Sequence, residues 1–253
     1  MPITVKSSRE IELMTEAGRI LEIVHKELEK ALHPGMTTKA IDRLGEEIIR
    51  SYGCIPSFLD YNGYPASICV SVNDEVVHGI PSEHRIIREG DIVSLDAGVI
   101  YKGYHSDAAR THCVGEVSKE AQDLVRVTRE CFFEGIKYAK EGIHLFDISG
   151  AIGRYAKERG YGVVRDLCGH GIGTALHEAP EIPNYEMKRK GVLLKAGMTL
   201  AIEPMINIGG WEVDWMDDDW TVVTRDHSLS AHYENTVLIT ENEPKLLSLT
   251  EGI

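Results

Sequence analysis

The spacing of apolar residues divides the chain into two passages that follow one plan. Ile11, Met14, Ile20, Leu21, Val24 and Leu28 recur at helical spacing and form one buried stripe, with Ser7 or Ser8 placed to cap its start. The stretch "HPGMTTKAIDRLGEEIIRSYG" reads as a turn, a threonine cap and a second helix ending at Gly53. Short apolar strands are predicted around 66–71 and 91–99, and another over 103–114 after a turn at Lys102–Gly103. The order then recurs. "SKEAQDLVRVTRECFFEGIKYAK" is a long helix, "EGIHLFDISGAIGRYAKERG" a turn and second helix ending at Gly160, and "AGMTLAIEPMI" and "LSAHYENTVLIT" are strands.

Three glycine pairs, Gly35 with Gly142, Gly53 with Gly160 and Gly90 with Gly197, share one offset of 107 residues. Gly90 and Gly197 open "EGDIVSLD" and "AGMTLAIE", in which a carboxylate follows the glycine by six positions: Asp96 and Glu203, also 107 apart. Such internal similarity implies a pseudo-symmetric α/β domain with two half-domains, roughly 1–115 and 116–253, facing each other across a sheet. No Pro/Ser-rich linker divides residues 1–253, so one domain is expected.

Composition narrows the function. A formal net charge of −13 over 253 residues leaves no basic footprint for nucleic acid. No apolar run approaches the ~20 residues of a membrane span, and "MPITVKSSREIELM" lacks the apolar core of a signal peptide. The cysteines, at 54, 69, 113, 131 and 168, never form C-x-x-C, which disfavours a disulfide framework or a thiolate zinc knot. A reducing cytoplasm is the simplest compartment.

The stretch "CGHGIGTALHEAP", 168–180, is open to three readings: a phosphate cradle, a metal site or a tight turn. The dinucleotide pattern Gly-x-Gly-x-x-Gly fails at Thr174. Gly169, Gly171 and Gly173 alternate around His170, which suits extended chain that something approaches closely. Elsewhere Asp96 and Glu203 are expected to end apolar strands, Asp107 lies in "GYHSDAARTHCVG", and Glu234 precedes an apolar run. A carboxylate so placed is costly unless paired or bound to metal. Four carboxylates balance two divalent cations in charge. With His170 they make an oxygen-rich, thiol-free set suited to a catalytic dinuclear centre, whose metals activate water and polarise a carbonyl. His177 and His78 are candidates to bind substrate and stabilise the transition state.

The ordered set "DAGVIYKGYHSDAARTHCVG", "CGHGIGTALHEAP", "LAIEPM" and "SAHYENTVLIT" resembles the type I methionine aminopeptidases over nearly the whole chain. The resemblance implies a pita-bread fold, α/β with two pseudo-symmetric halves and a central antiparallel sheet covered by two pairs of helices. It implies two divalent cations, among which Co, Mn, Fe and Zn are not distinguished. Asp96 would hold one of them and Asp107 and Glu234 would bridge both. His170 and Glu203 would complete the other, with Glu203 also moving a proton to or from the attacking water. His177 would contact the scissile carbonyl or the amide after it, and His78 the scissile amide nitrogen. The substrate's free amino terminus would coordinate a metal, so only the first residue is removed. Tyr61, Tyr64 and Cys69 would line the methionine pocket, closed by Trp220 and His78; sulfur and aromatic walls suit a thioether. Phe58 and Leu176 depart from residues found in some relatives and bear on the pocket's shape. Asn73, Glu75 and Ser230 sit where relatives bind a monovalent cation, Na or K.

The implied activity is removal of the initiator methionine from nascent polypeptides with a small second residue, by a protein expected to act as a monomer. Met1–Pro2 would make the chain its own substrate. An Xaa-Pro peptidase of the same superfamily is the nearest alternative. It would use the same ligands but usually carries a sizeable N-terminal domain, whereas this chain reaches its first ligand by Asp96. A non-catalytic binding protein on this fold would replace ligands that are all present. The acidic run "WEVDWMDDDW" reads as a solvated loop, with only Trp220 serving the site.

Overall fold

The computed structural model describes residues 3–249, so Met1 and Pro2 lie outside the described residues. The first passage forms α1 (Ser8–Ala31), α2 (Thr38–Ser51), β1 (Ile55–Pro56), β2 (Ile68–Val72), β3 (Glu75–Val77), β4 (Ile92–Tyr101) and β5 (Tyr104–Cys113). The second forms α3 (Lys119–Ile136) and α4 (Leu145–Glu158). Its strands are β6 (Gly162–Val163), β7 (Gly169–Gly171), β8 (Glu178–Ile182), β9 (Thr199–Ile202) and β10 (Met205–Asn207). β11 (Val213–Trp215), β12 (Val222–Thr224), β13 (Ser230–His232), β14 (Asn235–Leu238) and β15 (Lys245–Leu246) complete them.

The helices start where their caps place them. Ser7 accepts from the Glu10 amide while the Glu10 carboxylate accepts from the Ser7 amide, a capping box that satisfies two free N–H groups. Thr37 and Ser118 cap α2 and α3 through the amides of Ala40 and Ala121. Met14, Ile20, Leu21, Val24 and Leu28 of the predicted stripe are buried, and Ile11 is partly buried. Each half encloses its own core: α1 and α2 cover β2 and β4, while α3 and α4 cover β9, β10 and β14.

Every pairing between these strands is antiparallel. Hydrogen bonding groups them into four sheets. The largest have the orders β15-β14-β9-β7-β8 and β1-β4-β2, with β5 also on β4. The two halves join where β5 meets β14. Thr236 Oγ1 accepts from the Asp107 amide at 2.8 Å and donates to its carbonyl at 2.9 Å, and the Glu234 amide donates to Ala109 O at 3.0 Å.

Three strand expectations are corrected. "AGMTLAIEPMI" is two strands, β9 and β10, in different sheets. Pro204 has no N–H for a ladder, and the chain passes from one sheet to the other there. "LSAHYENTVLIT" likewise divides into β13 and β14, with Tyr233 and Glu234 at the step between sheets. Asp96 lies in the middle of β4, which continues to Tyr101, and not at a strand end.

Candidate active site

Strand register converges the acidic residues. In the β4–β5 hairpin Asp96 faces Ala109 and Gly98 faces Asp107, so Asp96 and Asp107 are diagonal neighbours on one face. On the other half His170 pairs with Ala201, and Ile202 pairs with Asn235. One further step of that register sets Glu203 opposite Glu234, and the alternation along β9 keeps Glu203 on the face of His170.

The glycines around His170 admit the close approach expected of them. An added Cβ on Gly169 would lie 2.4 Å from Ala201 O, and one on Gly171 would lie 2.2 Å from Ala179 O. The room they leave is taken by the neighbouring backbones of β9 and β8.

Ligand atoms of Asp107, His170 and Glu234 lie within 4.8 Å of one another. His170 Nε2 is 3.6 Å from Glu203 Oε1 and 3.9 Å from Asp107 Oδ2. Its Nδ1 donates to Gly171 O at 2.9 Å, which leaves the Nε2 lone pair aimed at the carboxylates. Burial, followed by the charge of His177, depresses the His170 pKa to about 3, so the ring is neutral and a competent ligand. Burial pushes all four carboxyl pKa values up, that of Asp96 to about 7. The negative charge of Asp96 adds to the effect at Asp107, Glu203 and Glu234. Oδ1 of Asp96, Oδ1 of Asp107 and Oε1 of Glu234 are buried without a hydrogen-bond partner. Half-buried Arg110 is the cation nearest Glu234, and it donates to the carbonyls of Ala109 and Glu234 instead. Unsatisfied carboxylate oxygens around a neutral imidazole are a donor set that fits divalent cations.

All five residues line one cavity of about 180 Å³ together with His78, His177, Phe58, Tyr61, Tyr64, Cys69, Leu176 and Trp220. Cys69 faces Asp96 across β2 and β4, and burial raises its thiol pKa well above the ordinary value. Trp220 packs edge-on against Tyr64 with ring centres 5.1 Å apart. His78 has a left-handed φ of 60°, a costly conformation for a non-glycine residue, and burial lowers its pKa to about 4. His177, exposed at the mouth, has its Nδ1 2.6 Å from Tyr61 Oη and its ring centre 4.2 Å from that of His170.

The monovalent-cation trio does not line this cavity. Ser230 N donates to Asn73 O at 2.9 Å, the Asn73 side chain bonds Asp91 and the Ile92 amide, and Glu75 accepts from the Val72 amide.

Sequence reasoning missed several supporting residues. Asn62 lines the cavity in a left-handed turn, for which "YNGY" was a signal. Asp218 lies in the exposed acidic loop, as expected, and also accepts from the amides of Trp220 and Thr221 and so sets the Trp220 backbone. Asn184 Nδ2 donates to Glu203 O at 3.0 Å, and His232 Nε2 stands 3.8 Å from Glu203 Oε2. Neither carried a local signal.

A pseudo-symmetric antiparallel fold enclosing a carboxylate–histidine centre defines a metallopeptidase of the pita-bread type. The chain belongs to metallopeptidase family M24, whose pattern it matches over residues 12–241. It is 53% identical over 249 residues to a methionine aminopeptidase of Clostridium acetobutylicum, covering 98% of this chain and 100% of that one. The solved methionine aminopeptidase of Thermotoga maritima superposes with a TM-score of 0.96 at 46% identity, over 98% of this chain and 99% of that one. An Xaa-Pro dipeptidase of Bacillus anthracis shares the fold at lower similarity, with a TM-score of 0.79 and 25% identity. It is matched over 98% of this chain but 63% of its own length. Among the described residues no helix is long and apolar enough to cross a membrane.

Proposed function

We propose that the chain removes the N-terminal methionine from nascent polypeptides, with a preference for a small second residue. The observation that carries this reading is one cavity lined both by the carboxylate–histidine centre and by an aromatic and sulfur-bearing wall. Asp96, Asp107, His170, Glu203 and Glu234 would hold two divalent cations, with Asp107 and Glu234 shared between them where the two halves meet. Bound there, the cations would lower the pKa of water and polarise the scissile carbonyl.

The chain's own groups supply the rest. Phe58, Tyr61, Tyr64, Cys69, Leu176 and Trp220 enclose the methionine side chain, and burial keeps the Tyr64 and Cys69 protons in place at neutral pH. Glu203 accepts a proton from the attacking water and returns it to the departing amine. A Tyr61 hydroxyl that donates to His177 Nδ1 leaves His177 Nε2–H free to donate to the scissile carbonyl or the next amide. His78, kept neutral by burial, is available to the scissile amide nitrogen. A monovalent ion bound by oxygens at Asn73, Glu75 and Ser230 would lie outside this cavity. All the site residues come from one chain, so the reading requires no second copy, and free thiols suit a reducing cytoplasm.

The test is release of methionine from Met-Ala-Ser by protein stripped of metal and then supplied with Mn or Co, beside an Xaa-Pro peptide. Metal-restored release from Met-Ala-Ser alone supports the reading. Cleavage of the Xaa-Pro peptide alone would replace it with the dipeptidase activity.

A further inference from the structure

A second, larger depression of about 980 Å³ adjoins the catalytic cavity. His170 and His177 line both, so the two spaces meet at the histidines. A substrate whose first side chain occupies the inner cavity must carry its remaining residues outward, and this groove begins where they would emerge. Phe146, Ala179, Pro180 and Val192 give it apolar walls. Four of the five residues of β8 line it, and β8 is the outer strand of the five-stranded sheet. Pro180 suits that edge position, and an edge strand can accept an extended peptide as a further strand.

The charges along the groove are unevenly paired. Glu178 is held by Lys6 at 2.8 Å, and nearby Glu186 by Arg154 at 3.3 Å. Arg189 and Lys190 line the groove, are exposed, and make no ion pair among the described residues. They belong to "MKRKG", the only place in this acidic chain where lysines or arginines are adjacent in sequence. The Phe146 amide donates to Lys190 O and the Leu145 amide to Val192 O, so the segment is fixed to the start of α4. Exposed Glu181 is the one opposing charge in the groove that makes no ion pair among the described residues.

We propose that this groove carries the substrate segment downstream of the scissile bond, and that Arg189 and Lys190 favour acidic side chains there. The proposal rests on the aminopeptidase reading above. Continuity with the catalytic cavity favours a peptide over RNA as the occupant of the basic run.

The test compares kcat/KM of the metal-loaded protein and of R189E/K190E on Met-Ala-Ser, Met-Ala-Ser-Glu-Glu-Ser and Met-Ala-Ser-Lys-Lys-Ser. Met-Ala-Ser carries no charged side chain for the bases to recognise, so both proteins should cleave it equally, which also shows that the variant is folded. Wild type should prefer the Glu peptide by roughly fivefold at low salt, as expected for two exposed ion pairs. The preference should shrink at about 0.5 M salt, where such pairs are screened. R189E/K190E should prefer the Lys peptide, and Glu181→Gln should strengthen the wild-type preference. An unchanged Glu-to-Lys ratio in R189E/K190E would overturn the proposal. So would loss of polyuridylate binding in that variant with the peptide ratio intact, which would make the run an RNA surface. Failure of wild type to cleave Met-Ala-Ser would overturn the aminopeptidase reading and this proposal together.

Discussion

The two halves of the molecule supply carboxylates to the centre in different ways. Asp96 and Asp107 stand within the uninterrupted β4–β5 hairpin, whose register runs from Ile92 with Cys113 to Tyr101 with Tyr104. Glu203 and Glu234 stand at steps where the chain leaves one sheet for another. Asp96 is flanked by the ladders of β2 and β5, and Asp107 is held in register by β4 on one side and by Thr236 on the other. The second depends on isolated contacts: Asn184 to Glu203 O, Arg110 to Glu234 O, and the Glu234 amide to Ala109 O. Related sequence halves can therefore reach one site by unequal means, the first by regular structure and the second by its interruption.

The largest effect is expected where the comparison should vanish. Asp107→Ala and Glu234→Ala each remove a proposed shared ligand, one from each half. Both should lose metal affinity and activity by more than the roughly 10–100-fold typical of residues that only support a ligand. Metal content after dialysis, with kcat/KM, checks this. A variant that keeps both metals would show that its half contributes no bridging group.

The next effect crosses the halves, because Tyr61 of the first holds His177 of the second. His177→Ala should lower kcat by about 10²–10³, in the range for removing a transition-state donor, with metal content unchanged. Tyr61→Phe should cost only about fivefold, the worth of one ordinary hydrogen bond. Equal losses in the two variants would mean that the tyrosine does more than orient the ring.

The seam gives a smaller and more discriminating contrast. Thr236→Val keeps the shape but strands the Asp107 amide and the Ser106 hydroxyl, both buried. It should destabilise the fold by about 1–3 kcal/mol and weaken metal binding. Ser94→Ala removes a hydroxyl bonded at 2.8 Å to Thr111 within the first-half hairpin. Thr111 retains its bonds to His232, so the cost should be about 1 kcal/mol with metal affinity preserved. Denaturant titration and metal titration of the pair measure both quantities.

The same inequality governs what the sequence disclosed. Helices were legible because their stripes and caps are local, and the repeat because glycine turns recur at one spacing. The five acidic and histidine positions were legible as chemistry, since carboxylates beside apolar runs demand a partner. The steps between sheets were only half visible. Pro204 marks the first, and nothing local marks Tyr233–Glu234. The glycines around His170 signalled close approach correctly, but what approaches is the backbone of β9 and β8, which only the register reveals. Contacts between residues far apart in sequence, such as Tyr61 with His177 and Thr236 with Asp107, leave no trace in a single chain.

The last prediction concerns the rigid half alone. Burial raises the Asp96 carboxyl from 3.8 to about 7, at a position fixed between the ladders of β2 and β5. A proton held more tightly in the folded than in the unfolded state stabilises the fold below the unfolded value, and that contribution is lost as pH rises through the folded one. Without metal, wild type should therefore lose stability relative to Asp96→Asn as pH rises from about 4 to about 7. The buried histidines act oppositely: His170 and His232, depressed to about 3, stabilise above their unfolded value and cease to do so as pH falls. Both proteins carry them, so the difference between wild type and Asp96→Asn removes their share. Denaturant melts of the metal-free pair across this range measure it. A flat difference would mean that Asp96 escapes its burial and that the first half is less rigid than its ladder implies. Added Mn or Co should abolish the slope, because a cation that needs the carboxylate deprotonated replaces the proton.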